Sequence, residues 1–165
     1  MSVHLFLIIR RLNYIDYRRI IILPVLACCL YVGCVPPIPQ ECEDFFSLSP
    51  QEGEQVFATY PLDKQLRIYK CGMYRAPPAT WLAGPIADKG DGAIPYLFER
   101  LESDEDEMFQ SDIVYIFRVM AVKGKLHGRQ DVINKLRRDV ARIKITAIRE
   151  EAQRDLDVIE KDSGG

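Results

Sequence analysis

The chain has 165 residues, of which 48% are hydrophobic and 28% are charged, and its formal net charge is −2. This is the composition of an ordinary globular protein, and the length favours one domain. A charge so close to zero indicates neither a nucleic-acid-binding protein nor a protein with a strongly acidic partner.

The N-terminal 35 residues are apolar and basic, with Asp16 as their only acid. Two arginine pairs, Arg10–Arg11 and Arg18–Arg19, precede an apolar run over 20–32. A basic segment followed by about 7–15 apolar residues is typical of a secretory signal, whereas a membrane-spanning helix needs about 20. The sequence therefore predicts an export signal over 1–33.

The apolar run ends in Leu30-Tyr31-Val32-Gly33-Cys34. This segment resembles the lipobox of bacterial lipoproteins, in which a small residue precedes the cysteine that carries the lipid. The resemblance implies cleavage before Cys34, a diacylglyceryl group on its sulfur, and a lipid anchor in the membrane that faces the periplasm or the exterior. Tyr31 stands where the family prefers leucine or another aliphatic residue, so Val25-Leu26-Ala27-Cys28 is a second candidate, with Cys28 as the lipidated residue.

An uncleaved signal anchor is the alternative interpretation of this segment. Both interpretations place the rest of the chain across the inner membrane, because the arginines favour the cytoplasmic side. Cleavage after residue 33 would remove four arginines and one aspartate, and would change the net charge from −2 to −5.

The segment 34–48 is predicted to be a linker. Its proline run, Val35-Pro36-Pro37-Ile38-Pro39, favours an extended spacer between the lipid and the domain. Cys42 and Cys71 are the two cysteines beyond the cleavage region that ends at Cys34. In an oxidising compartment they either pair, which would close a loop of about 30 residues, or remain separate thiols. The cysteine spacing contains no zinc signature, and we expect no metal site.

A helical domain is predicted over 49–162. Ser49-Pro50-Gln51-Glu52 forms a capping box that starts a helix to about Thr59. Apolar residues then recur at helical spacing through the rest of the chain, which predicts an all-α bundle of five or six helices with a long C-terminal helix from Gln130 to Lys161. The β-rich window 113–119 could be a buried strand by composition, but its length and flanks favour a helix.

The stretch from Trp81 to Gly90, followed by Ala93-Ile94-Pro95-Tyr96-Leu97-Phe98-Glu99-Arg100-Leu101, resembles HEAT-type repeats. In that family one helix ends in a glycine turn and the next begins with Ile-Pro. The resemblance covers about one repeat, over 79–122, whereas a solenoid needs about three. It implies HEAT-like packing of a helix pair, and a binding scaffold rather than an enzyme.

Candidate catalytic groups are sparse. His127 is the one histidine beyond the signal, and no nucleophile motif of the G-x-S-x-G type occurs. An enzyme would need a pocket in which some of four candidate groups meet, namely Asp63, Glu99, Asp112 and His127. The loop after Asp88 supplies too few oxygen ligands for calcium. We expect no enzyme activity and no cofactor.

A basic segment near the C-terminus is a candidate interaction face. Its cations would meet anionic lipid, an envelope polymer or an acidic protein, or would instead pair with acidic segments of the same chain. The face comprises Lys123, Lys125, Arg129, Arg137, Arg138 and Arg142.

The functional prediction is a membrane-anchored cell-envelope lipoprotein whose helical domain binds or scaffolds another envelope protein. Outside the cytoplasm nucleic acid is not an expected partner. The alternatives are an envelope hydrolase or other enzyme, and a purely structural envelope component or signal-anchored membrane protein.

Overall fold

The computed structural model describes residues 38–164, and every regular element in that range is helical. This confirms the all-α prediction for the described residues. The predicted number of five or six helices is wrong, because eight α-helices and two 3₁₀ turns occur there. The α-helices are α1 (Gln40–Phe46), α2 (Pro50–Thr59), α3 (Leu62–Met73), α4 (Ala83–Ala87), α5 (Ile94–Ser103), α6 (Glu107–Val122), α7 (Gln130–Val140) and α8 (Thr146–Ser163), and the 3₁₀ turns are Thr80–Leu82 and Gly90–Gly92.

The first additional helix, α1, lies inside the segment predicted as a linker over 34–48. Pro39 immediately precedes its first turn, where the carboxylates of Glu41 and Glu43 interact favourably with the positive end of the helix dipole. Cys42 and Phe45 lie one turn apart and are both buried. The folded domain therefore begins near residue 40 rather than at residue 49.

The second additional helix arises because the predicted C-terminal helix is broken at 141–145 into α7 and α8. β-Branched residues are concentrated at the break and favour helix weakly. Side chains satisfy the backbone groups that the break exposes. The Ile145 N–H donates to the Glu107 carboxylate at 2.7 Å, and Arg149 donates to the carbonyl oxygen of Ile143 at 2.7 Å.

The core forms around α6, which packs against α3, α4, α5, α7 and α8. The window 113–119 lies within this helix, which excludes the strand alternative. The rings of Phe98 on α5 and Phe117 on α6 lie 5.0 Å apart between centroids. Both helices lie in the HEAT-like segment 79–122, together with α4, and the family resemblance itself stays a prediction.

The N-terminal corner of the domain consists of α1, α2 and α3. A disulfide between Cys42 on α1 and Cys71 on α3 joins two of these helices, with 6.2 Å between the Cα atoms. The Gln65 amide on α3 donates to the carbonyl oxygen of Phe57 at the end of α2, at 2.6 Å. Side-chain groups thus hold all three helices in one arrangement.

No helix between residues 38 and 164 has the length and apolar character needed to cross a membrane. The predicted signal over 1–33, the candidate lipid site Cys34 and its alternative Cys28 lie outside the described residues.

Candidate functional site

An apolar groove opens at the N-terminal corner, with a volume of about 270 Å³. We call it the aromatic groove and define it by Phe45, Phe46 and Trp81. The two phenylalanines come from the end of α1, and Trp81 comes from the 3₁₀ turn before α4. The other lining residues are Leu48, Ser49, Pro50, Gly53, Arg75, Pro77, Pro78 and Ala79.

The groove depends on how the segment after α3 folds back against that helix. Ala79 donates its N–H to the carbonyl oxygen of Gly72 at 3.0 Å. A Cβ atom at Gly72 would lie 2.9 Å from the Cβ of Ala79 and 2.9 Å from the ring of Phe46. Only a glycine at this position allows both walls to approach α3 so closely.

Trp81 forms the rim of the groove. It is 43% exposed although it packs on Phe45, with 6.3 Å between the ring centroids and an interplanar angle of 24°. Together with Pro50, Gln51 and Glu54, it also lines a second depression. An aromatic ring with one supported and one exposed face is a ready contact surface for a ligand.

Arg75 is the one charged side chain that lines the aromatic groove. Its guanidinium group lies 4.5 Å from the centroid of the Phe46 ring. Within residues 38–164 no carboxylate forms an ion pair with it. The groove therefore combines an apolar interior with one positive charge that the described domain does not neutralise.

A second recess, of about 280 Å³, lies between α6 and α8. We call it the acidic cleft and define it by Asp112 on α6 and by Glu151 and Asp155 on α8. Arg118 donates to Asp155 at 2.8 Å. Asp112 accepts a hydrogen bond only through its backbone oxygen, from the Tyr69 hydroxyl at 3.1 Å, so no described side chain holds its carboxyl group.

The environment of Asp112 disfavours its ionised form. Burial raises the pKa of this carboxyl group to about 7, and the negative charges of Glu151, Asp106 and Asp155 add to the effect. Lys70 acts in the opposite direction, but it is bound to Asp104 at 2.8 Å. A group that titrates near neutral pH in a cleft is suited to proton transfer or to a pH response.

The predicted basic face is largely paired with acidic groups of the same domain. Lys123 binds Asp88 at 2.7 Å, and Arg137 binds Glu160 at 2.7 Å. The remaining pairs in this face join Arg129 to Asp91 and Asp131, and Arg142 to Asp139. Lys125 and Arg138 are exposed and form no ion pair with a described residue. Of the six residues in the predicted face, Lys125 and Arg138 are therefore the two whose charges no described residue neutralises.

The other candidate catalytic groups do not converge. Asp63 pairs with Arg67 at 2.9 Å, and His127 and Glu99 are exposed. Within the described range no group of three or more histidine, cysteine or acidic residues could hold a metal ion. Of the predicted catalytic set, Asp112 alone lies in a cleft.

The acidic run over 104–107, which leads into the first residue of α6, has partners within the domain. The Asp106 carboxylate accepts from the Phe109 N–H at the start of the helix, and Asp104 binds Lys70. Since Glu107 accepts from the Ile145 N–H, the run fixes the start of α6 and the start of α8.

The comparisons with known proteins give no family. No family model, no curated protein and no solved structure matches the chain. Function is therefore inferred from the aromatic groove and the acidic cleft.

The sequence did not indicate the aromatic groove. In the sequence Trp81 is one of three apolar residues of its segment, and the other two, Leu82 and Ile86, are fully buried. The signal that could have located the groove is the density of aromatic and proline residues in two short segments, 45–50 and 74–81. Their distance along the chain conceals that they meet.

Proposed function

We propose that this protein is a lipoprotein of the cell envelope whose helical domain binds a partner protein through the aromatic groove. The observation that carries the proposal is the half-exposed Trp81 at the rim of an apolar groove, whose wall holds Arg75 without an ion pair to any described carboxylate. Tryptophan and arginine are the residues most enriched at the energetic centres of protein interfaces.

The chemistry of the groove defines the partner segment. A volume of about 270 Å³ suits one or two large apolar side chains rather than a whole helix. Arg75 at the wall favours a carboxylate next to the inserted apolar side chain, because a guanidinium group binds carboxylates through paired, charge-assisted hydrogen bonds. The proposed ligand is an extended segment with a large apolar residue and an acidic neighbour.

The address of the protein is proposed from the N-terminal sequence. The lipobox-like segment at Cys34 and the arginines before it favour export and lipidation. The disulfide between Cys42 and Cys71 supports the same address, since such bonds persist outside the reducing cytoplasm.

The groove is tested by site-specific photo-crosslinking in cells, with the reactive group at Leu48 on the groove edge. We expect one crosslinked partner, and we expect the crosslink to be lost when Trp81→Ala or Arg75→Glu is added. With the purified partner, each substitution should weaken binding by about tenfold or more. Trp81 is the single tryptophan of the chain, so its fluorescence reports occupancy of the groove directly.

Tyr96→Ala is the matched control, because Tyr96 is a 50% exposed aromatic residue outside the groove. This variant should retain the crosslink and the affinity. A partner that binds the Trp81 and Arg75 variants as tightly as the wild type would contradict the proposed site.

A second candidate function is an envelope hydrolase that acts through the acidic cleft. The observation in its favour is Asp112, whose raised pKa of about 7 suits a general acid. Asp112→Asn would then abolish turnover of an envelope substrate while leaving the crosslink at Leu48 intact. The groove and cleft hypotheses therefore make separable predictions.

A further inference from the structure

The acidic cleft is lined by residues of α6 and α8, which form the most extensive helix–helix contact of the described domain, and by Met73, Pro78 and Thr80. Asp112 approaches from α6. Glu151 and Asp155 approach from α8, where a spacing of four residues places them on one face. Three carboxyl groups thus face one recess of about 280 Å³.

The positive charges near the cleft are already engaged. Arg118, on the same helix as Asp112, is bound to Asp155 at 2.8 Å. Lys70, from α3, is bound to Asp104 at 2.8 Å. Neither cation forms an ion pair with the Asp112 carboxyl group.

The remaining neighbours add negative charge or none. Asp106, in the turn before α6, adds a carboxylate that accepts from the Tyr74 hydroxyl. Tyr69, from α3, donates to the backbone oxygen of Asp112 and not to its carboxylate. Tyr115, one turn along α6, also lines the cleft and carries no charge at neutral pH.

We propose that Asp112 makes the contact between α6 and α8 a proton-sensitive latch, which is closed when this carboxyl group is protonated and loosened when it ionises. Ionisation transfers the proton to water and leaves three carboxylates opposite one arginine. Their repulsion, together with the cost of an unpaired, partly buried charge, favours separation of α8 and entry of water.

The direction of the response follows from linkage. The pKa of Asp112 is raised from its ordinary 3.8 to about 7 in the folded chain, so the folded state retains this proton to higher pH than the unfolded state does. The stabilisation is therefore present at acidic pH and is lost as the pH rises through about 7.

The test is hydrogen exchange of the α8 amides together with thermal unfolding, on the full chain with its disulfide intact, between pH 5.5 and 8.5. After correction for the intrinsic pH dependence, exchange in α8 should accelerate by about tenfold or more across this range, because the range starts more than one unit below the pKa of about 7 and each pKa unit corresponds to a factor of ten. The unfolding temperature should fall by about 3 °C or more. In Asp112→Asn, the exchange of α8 and the unfolding temperature should both lack the pH dependence that the ionisation of Asp112 causes.

Two further variants make the outcome decisive. Glu99→Gln removes an exposed carboxylate on α5 and should retain the wild-type response. Glu151→Gln removes a charge that raises the pKa of Asp112, so the transition should move to lower pH. A wild-type pH response in Asp112→Asn, or an unchanged midpoint in Glu151→Gln, would overturn the latch.

Discussion

Gly72 is a single residue whose missing side chain shapes the aromatic groove. Its position on α3 receives Ala79 from the returning segment and Phe46 from α1, each within 2.9 Å of where a Cβ would be. In the sequence this glycine lowers the helix propensity of α3 and has no evident purpose. The packing explains why a glycine stands here, because the close approach of the two walls stabilises the domain more than a better helix former at this position would.

Gly72→Ala should destabilise the domain by about 1–3 kcal/mol, because the added methyl group has no space and overpacking outweighs the gain in helix propensity. Denaturant unfolding measures this change. Gly92→Ala is the control, since a Cβ at Gly92 would meet nothing within 4 Å. Equal destabilisation of the two variants would show that crowding at Gly72 is not the cause.

Asp112 and Trp81 mark the limit of sequence reasoning at the scale of single residues. The sequence pattern marks Asp112 only as a polar residue on a helix and Trp81 only as an apolar residue. What makes them candidates is their surroundings. Burial, together with the charges of Glu151 and Asp155 on α8, raises the pKa of Asp112, and the ring of Phe45 supports Trp81. These surroundings come from residues that are distant in the sequence.

At the scale of elements, sequence patterns predicted best where local chemistry and packing agree. The capping box predicted α2 correctly, with Ser49 accepting from the Glu52 N–H and the Glu52 carboxylate accepting from the Ser49 N–H. The α1 helix was missed because seven residues are too few for a helical period to show. The break before α8 was missed because Val140 and Ile143 keep helical spacing although the backbone between the helices does not.

The disulfide gives α1 its fixed place against α3, and so supports the wall formed by Phe45 and Phe46. Replacing both Cys42 and Cys71 with serine should cost about 2–4 kcal/mol, because the unfolded chain regains the freedom of the closed loop. It should also increase hydrogen exchange in α1 more than in α6. The comparison is between the variant and the oxidised wild type.

A chemically reduced wild type should match the double serine variant in both measurements. If reduction left the stability and the exchange of α1 unchanged, the wall of the groove would not depend on the disulfide.

At the scale of the whole molecule, charge is organised to pair within the described domain rather than to present one basic face. Lys135 binds both Glu102 on α5 and Asp139 on its own helix, while Arg137 ties α7 to α8 through Glu160. Exposed pairs of this kind each contribute about 0–1 kcal/mol, so they order the surface more than they stabilise it. The composition alone could not distinguish such pairing from a free basic face.

We propose an anchored domain in the cell envelope, with a groove for a partner at its N-terminal corner. The fold class followed from periodicity, and the groove followed from the meeting of distant segments. The proposed address rests on the sequence resemblance around Cys34, and it would determine the partners that the groove can encounter.

The most direct test of this account is the intact mass of the N-terminal peptide from the membrane fraction of bacterial cells, compared between the wild type and Cys34→Ala. We expect an acylated peptide that begins at Cys34 and is lost in the variant. A wild-type peptide that reaches back to Met1 without lipid would contradict the lipoprotein proposal and leave the signal anchor in its place.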